Sequence, residues 1–163
     1  MGAAVVAAVA VVLVALGVVF GIVLPWLRIR PVYRPVPLLP TVSVTGAVDE
    51  SLLSRAIEHA ADSLAEHGVW RRYEIDAALL RGLHVEVRPV VRWDNGGQTV
   101  AGLCFTDVRL IVVGCDLAAL CHELAHLVQF DVESREGHDA WDVRGITSAV
   151  DAWQAWLKGE QTK

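Results

Sequence analysis

Two histidines and a glutamate, spaced as His122-Glu123-Leu124-Ala125-His126, constrain this 163-residue chain more than any other feature. In an α-helix, residues i and i+4 lie on one face about one turn apart, so both imidazoles can reach a single metal ion. The intervening Glu123 is rotated around the helix axis, near such an ion but not bound to it. The spacing therefore predicts a helix with a metal site on one of its faces.

The flanking sequence favours that helix. The β-branched run at residues 108–113 predicts a strand, and Asp116 is the candidate N-cap of the element that follows. Apolar residues then recur at helical spacing over residues 117–130. His122 and His126 border this apolar stripe, so we expect them at the edge of the core, facing a cleft. The alternative interpretation is a buried helix with two hydrogen-bonded core histidines.

A catalytic zinc site needs a third protein ligand and keeps one further position for water. The polar stretch 131–137 ends in glycine, which predicts a loop that reverses the chain and brings His138 back over the helix. His138 is therefore the preferred third ligand. Glu133, Glu136 and Asp151 stay open as alternatives, in which case His138 would be a solvated loop residue.

The two segments together resemble the small zinc metallopeptidases of the SprT-like and related minimal zincin families. The resemblance lies in His122-Glu123-Leu124-Ala125-His126 and in Gly137-His138-Asp139-Ala140-Trp141, and it covers roughly residues 100–141. It implies that three histidines bind zinc, namely His122, His126 and His138. It also implies that Glu123 is the general base acting on zinc-activated water, and that Trp141 packs under the third ligand.

The amino-terminal residues 1–27 carry no charge and are almost all apolar. A helix of this length spans roughly the 30 Å of bilayer hydrocarbon. This pattern predicts a single-pass transmembrane anchor rather than a cleaved signal peptide, whose apolar core is shorter and follows basic residues. Arg28, Arg30 and Arg34 come directly after it, so the positive-inside rule places the soluble domain in the cytoplasm. Residues 28–47 are expected to form a proline-rich linker.

Residues 48–158 are expected to form one zincin-like metallopeptidase domain, with 159–163 as a tail. The periodicity predicts two helices, then three strands of which the first two form a hairpin across Asp94-Asn95-Gly96-Gly97, and a closing helix after the motif helix. The predicted fold class is thus α+β: an N-terminal transmembrane helix followed by a compact zincin-like domain with a three-stranded sheet, the motif helix and the closing helix.

Charge and cysteine content limit the partners. The net charge is −5, and residues 1–27 contribute none of it, so the domain is acidic and no nucleic-acid partner is expected. This balance departs from SprT-like proteases that act on DNA-bound proteins. The cysteines are odd in number and lie in apolar contexts, so they are expected to be free thiols: Cys104, Cys115 and Cys121.

The predicted function is that of a membrane-anchored zinc metallopeptidase, with a peptide or protein as substrate and the membrane as partner of the anchor. A second hypothesis keeps the zinc without peptidase chemistry, as a hydrolase of another bond or a structural zinc domain. A third hypothesis is a membrane-tethered interaction module without catalysis, in which the motif is coincidental.

Overall fold

The computed structural model describes residues 33–36, 39–93, 97–139 and 141–162. The predicted anchor at residues 1–27 lies outside this part of the chain. Among the helices of the described residues, none combines the length and the apolar character needed to cross a bilayer.

The described strands form one large sheet and one small one. The strands are β1 Arg34–Val36, β2 Leu39–Thr45, β3 Leu83–Arg88, β4 Val91–Trp93, β5 Gln98–Val100, β6 Gly102–Phe105 and β7 Leu110–Gly114. Five of them form a sheet in the order β1-β2-β3-β7-β6, while β4 and β5 pair as a separate antiparallel hairpin. The three inner strands β2, β3 and β7 run parallel, and the edge strands β1 and β6 run antiparallel to their neighbours.

Helices pack with this sheet around one hydrophobic core. They are α1 Glu50–Glu66, α2 Arg72–Leu80, α3 Leu120–Glu133, α4 Trp141–Arg144 and α5 Ile146–Gln161. The motif helix α3 contacts α1, α2 and α5, and also the strands β6 and β7. Trp153 of α5 is fully buried, and its Nε1 donates to the carbonyl oxygen of Ala56 in α1 at 2.9 Å. The helices that surround α3 are thereby fixed to one another.

The predicted fold class is wrong in its architecture, although the described residues are of mixed α and β structure. The sheet has five strands instead of three, because β1 and β2 arise from the stretch 28–47 that was expected to be a linker. Prolines favoured an extended spacer there, but Pro35 lies in an edge strand and Pro40 lies near the start of β2, positions where proline is tolerated. Val42 and Val44 alternate with polar residues along β2, which is typical of a strand with one buried face.

The motif helix also begins later than the sequence predicted. Leu117 adopts a left-handed backbone conformation with φ of 58°, so the chain turns once more before α3 begins at Leu120. Asp116 accepts a hydrogen bond from the backbone N–H of Ala118 at 3.1 Å within this turn, rather than capping the helix. Burial of the Leu117 side chain in the core holds the turn in place.

We expect the amino-terminal strands to be essential for folding. Val42 and Val44 of β2 are fully buried, with 0% exposure, between β1 and β3. A variant that lacks residues 1–47 should therefore lose cooperative thermal unfolding followed by circular dichroism, because it exposes the core edge of β3. A variant that lacks only residues 1–32 is the matched control and should unfold cooperatively. Equal melting curves for the two variants would contradict this account of the sheet.

Candidate metal centre

Three imidazole rings converge beside the amino-terminal half of α3. The Nε2 atom of His138 lies 3.1 Å from the Nε2 atom of His122 and 3.1 Å from that of His126. Each ring offers one nitrogen, and these nitrogens lie within 4.8 Å of one another. The three histidines therefore form a group that could hold a metal ion.

The spacing of these nitrogens fits a metal ion. Tetrahedral zinc with Zn–N bonds of about 2.0–2.1 Å holds its nitrogen ligands roughly 3.3 Å apart. The two separations of 3.1 Å at His138 are close to that value. Two of the three separations therefore suit a shared ion, and the nitrogens of His122 and His126 lie within 4.8 Å of each other.

The protonation of the rings also suits metal binding. Burial lowers the pKa of His126 to about 4, and the neighbouring rings of His122 and His138 make a smaller contribution in the same direction. Burial and His138 lower the pKa of His122 in the same direction. Both imidazoles are therefore neutral at neutral pH, the form in which a ring nitrogen can donate its lone pair to a metal.

His138 reaches this position because the chain reverses sharply after α3. The helix ends with Ser134 in a left-handed conformation at φ of 54°, and its N–H donates to the Phe130 carbonyl oxygen at 2.9 Å. Gly137, at φ of 103°, completes the reversal in a region that side-chain-bearing residues rarely adopt. His138 then lies one turn of chain before α4, with its ring over the motif face of α3.

Trp141 supports all three histidines. Its ring centroid lies 4.7 Å from that of His122, 4.6 Å from that of His126 and 4.6 Å from that of His138. The indole is only 5% exposed, and its Nε1 donates to the side-chain oxygen of the buried Gln129 at 3.2 Å. Gln129, a polar residue on the buried side of α3, therefore holds the Trp141 ring against which the three imidazole rings pack.

The alternative third ligands do not join the group. Glu133 accepts hydrogen bonds from Trp70 Nε1 and Arg144 Nη1, both at 2.8 Å. Burial alone would raise the pKa of Glu133, but these hydrogen bonds outweigh it and hold the pKa below its usual value. Glu136 accepts from Thr106 Oγ1 at 2.5 Å, and Asp151 is exposed on α5. Glu133 thus joins the end of α3 to α4 through Arg144, and Glu136 holds the loop before His138.

Glu123 lines the same cleft as the three histidines. The cleft has a volume of about 370 Å³ and is bounded on its other side by β6, by Val100 of β5 and by Trp93 of β4. The Glu123 side chain is 6% exposed, and burial raises the pKa of its carboxyl to about 7. A carboxyl group with such a pKa can accept and release a proton near neutral pH.

Gly102 explains how the edge strand approaches Glu123 so closely. A Cβ atom built at Gly102 would lie 2.8 Å from Glu123 Oε1, from Glu123 Cγ and from the Cβ of Ala119. These contacts are too short for any side chain without displacement of Glu123. Gly102 is therefore a structural requirement of the site, which a glycine inside a predicted strand could have indicated.

The sequence did not assign Trp93, Thr106 or Gln129 to the site. Trp93 and Thr106 reach the cleft through long-range strand packing, for which no local pattern exists. Gln129 carried a usable signal, because a polar residue in the middle of an otherwise apolar helix face usually has a buried partner.

Neither a protein-family model, nor a curated protein, nor a solved structure matches this chain.

We expect His138 to decide metal binding. The full-length parent should bind about one zinc ion per chain, the stoichiometry of a single three-histidine site, and His138→Ala should bind much less because two imidazoles remain. Asp151→Ala, which removes an exposed carboxylate outside the group, is the matched control and should bind as the parent does. Metal content after equilibrium dialysis measures this. Metal kept by His138→Ala and lost by Asp151→Ala would contradict the assignment.

Substitution of Gly102 tests the close approach of β6 to Glu123. Gly102→Ala should lower the free energy of unfolding by about 1–3 kcal/mol, the usual cost of overpacking a tight site. Gly159→Ala is the control, since Gly159 lies in α5 with nothing near its position, and it should stabilise by roughly 0.5–1 kcal/mol. Urea denaturation measures both. Equal stabilities of Gly102→Ala and the parent would show that the site has room for a side chain.

Proposed function

We propose that this chain is a zinc-dependent peptidase that hydrolyses peptide bonds at the cleft beside α3, with His122, His126 and His138 as zinc ligands and Glu123 as general base. The observation that carries the proposal is the lining of one cleft by three convergent imidazole nitrogens, a buried carboxyl group and an edge strand. The motif spacing and its resemblance to minimal zincins point to the same chemistry.

The three histidines would hold the ion through their Nε2 atoms, which are the atoms that converge. Zinc bound there would supply Lewis acidity, polarising a carbonyl group and making water a better nucleophile at neutral pH. Zinc suits the site because neutral imidazoles are among its preferred ligands.

Glu123 would move the proton. It follows His122 directly on α3, so its carboxyl group faces the cleft from beside the ligands rather than from among them. From there the carboxylate can accept a proton from the attacking water and pass it to the leaving amine. A Cβ atom at residue 102 would lie 2.8 Å from Glu123 Oε1, so the glycine there leaves room for the carboxyl group in that position.

The strand β6 would align the substrate. In the described sheet β6 pairs with β7 on one side only, so its other edge has no strand partner there and could pair with an extended peptide. Strand addition of this kind supplies binding energy through main-chain hydrogen bonds, independent of sequence. Gly102 and Cys104 of β6 line the cleft, so a peptide on this edge would pass the histidines.

An open site favours catalysis over a structural role for zinc. Structural zinc sites are usually closed by four protein ligands, whereas catalytic sites keep a position for water or substrate. Within the described residues, three side chains form the group, and His138 is exposed on the side of the cleft. This arrangement supports the peptidase hypothesis over a structural zinc domain.

Substitution of Glu123 tests the proposal. The zinc-loaded parent should cleave members of a mixed peptide library, followed by mass spectrometry. Glu123→Gln should keep its zinc but lose roughly 10²–10⁴-fold in rate, because the general base is removed. Glu66→Gln is the matched control, since Glu66 is exposed at the end of α1, and it should cleave at the parent rate. Parent-like cleavage by Glu123→Gln, or no cleavage by the zinc-loaded parent, would overturn the proposal.

A further inference from the structure

The hairpin β4–β5 places the aromatic side chain of Trp93 at the cleft and leaves about half of that side chain exposed. Val91 and Trp93 share one face of β4, as residues two apart in a strand do. Val91 is buried in the protein at 2% exposure, but Trp93 is 49% exposed. Its cross-strand partner is the exposed, polar Gln98, which offers no apolar surface to the indole. Trp93 therefore keeps apolar surface that its own hairpin does not bury.

That surface faces the candidate metal centre. Trp93 lines the same cleft as His122, Glu123 and His126, together with the apolar side chains of Val100 and Leu103. Both of these are partly exposed, so the hairpin and β6 together contribute an apolar wall to the cleft. Burial of such surface by a ligand is favourable by about 25 cal/mol per Å² of apolar area.

Thr106, Glu136 and Cys104 are polar residues of the cleft that already have a hydrogen-bond partner or carry no charge. Thr106 Oγ1 donates to Glu136 at 2.5 Å, so these two residues partner each other. Burial, with the nearby Glu123, raises the pKa of the Cys104 thiol to about 12. Cys104 is thus a neutral thiol that behaves as a small apolar group.

We infer that Trp93, Val100 and Leu103 form a subsite for one bulky apolar side chain of the substrate, held beside the scissile bond. The inference rests on the proposed peptidase function and adds its substrate class: peptides with a residue such as Phe or Leu at this position. Trp93 is a specificity-determining residue in this assignment, because it supplies the largest apolar surface of the wall.

The size and charge of the cleft agree with this occupant. A volume of about 370 Å³ lies at the lower end of the range for small-ligand sites, which suits one or two side chains of an extended peptide. The carboxyl groups of Glu123 and Glu136 line the same cleft. An acidic side chain would therefore meet like charge, which costs binding energy.

Binding of substrate-like hydroxamates tests the subsite without requiring turnover. The probes are the hydroxamates of N-acetylglycine, N-acetylphenylalanine, N-acetyllysine and N-acetylglutamate, titrated by calorimetry into the zinc-loaded full-length chain. The phenylalanine probe should bind at least roughly tenfold more tightly than the glycine probe, the discrimination that an apolar pocket usually gives. The glutamate probe should bind no more tightly than the glycine probe, and the lysine probe should bind less tightly than the phenylalanine probe.

Substitutions in β4 assign the preference to Trp93. Trp93→Ala should reduce the ratio between the phenylalanine and glycine probes to near one while its zinc content stays that of the parent, and Trp93→Phe should restore most of the ratio. Arg92→Ala is the matched control, because Arg92 is exposed on the opposite face of the same strand. It should leave the ratio unchanged.

The outcomes separate the two proposals. An unchanged ratio in Trp93→Ala, equal binding of all four probes, or a preference for the lysine probe would overturn the subsite. A preference for the phenylalanine probe that depends on Trp93, in a zinc-loaded parent that cleaves no peptide, would support the subsite and refute the peptidase function. When both hold, the peptides cleaved by the parent should carry a bulky apolar residue next to the cleaved bond.

Discussion

The position of His138 over α3 is the constraint on which the rest of the site depends. His122 and His126 share one face of α3 because they are four residues apart in a helix. His138 reaches the same face only because the chain reverses after α3. Gly137 permits that reversal, and the Trp141 ring packs against the imidazoles. The hydrogen bond from Arg144 to Glu133 joins α4 to the end of α3, and the hydrogen bond from Thr106 to Glu136 holds the loop between them. Without these contacts, the cost of ordering a loop of this length would fall on metal binding itself.

The sheet brings an edge strand against the motif helix. Edge strand β6 runs antiparallel to β7 and comes within contact of Glu123 only because residue 102 is a glycine. The buried carboxyl, the convergent imidazoles and the available strand edge then line one cleft. In the proposed enzyme, separate elements would thus contribute the metal ligands, the general base and the strand that aligns the substrate. The core between α1, α3 and α5 holds these elements together.

The spacing of residues along the chain predicted those helices whose formation depends on residues close in sequence. The spacing of His122 and His126 required a helix, and both residues lie in α3. Prediction failed where distant segments pair. The strand β2 lies between β1 and β3 although its stretch is rich in proline, and Asp116 stabilises a turn instead of α3 because the buried Leu117 determines the path of the chain.

We propose that three imidazoles bind one ion, and X-ray absorption at the zinc edge is the sharpest test of this proposal. The extended fine structure of the zinc-loaded full-length chain should show three imidazole nitrogens at about 2.0–2.1 Å and one further light-atom ligand. It should show no sulfur, because none of the three cysteines belongs to the histidine group. A sulfur shell at about 2.3 Å, or an all-oxygen shell without the multiple scattering of imidazole rings, would contradict the account.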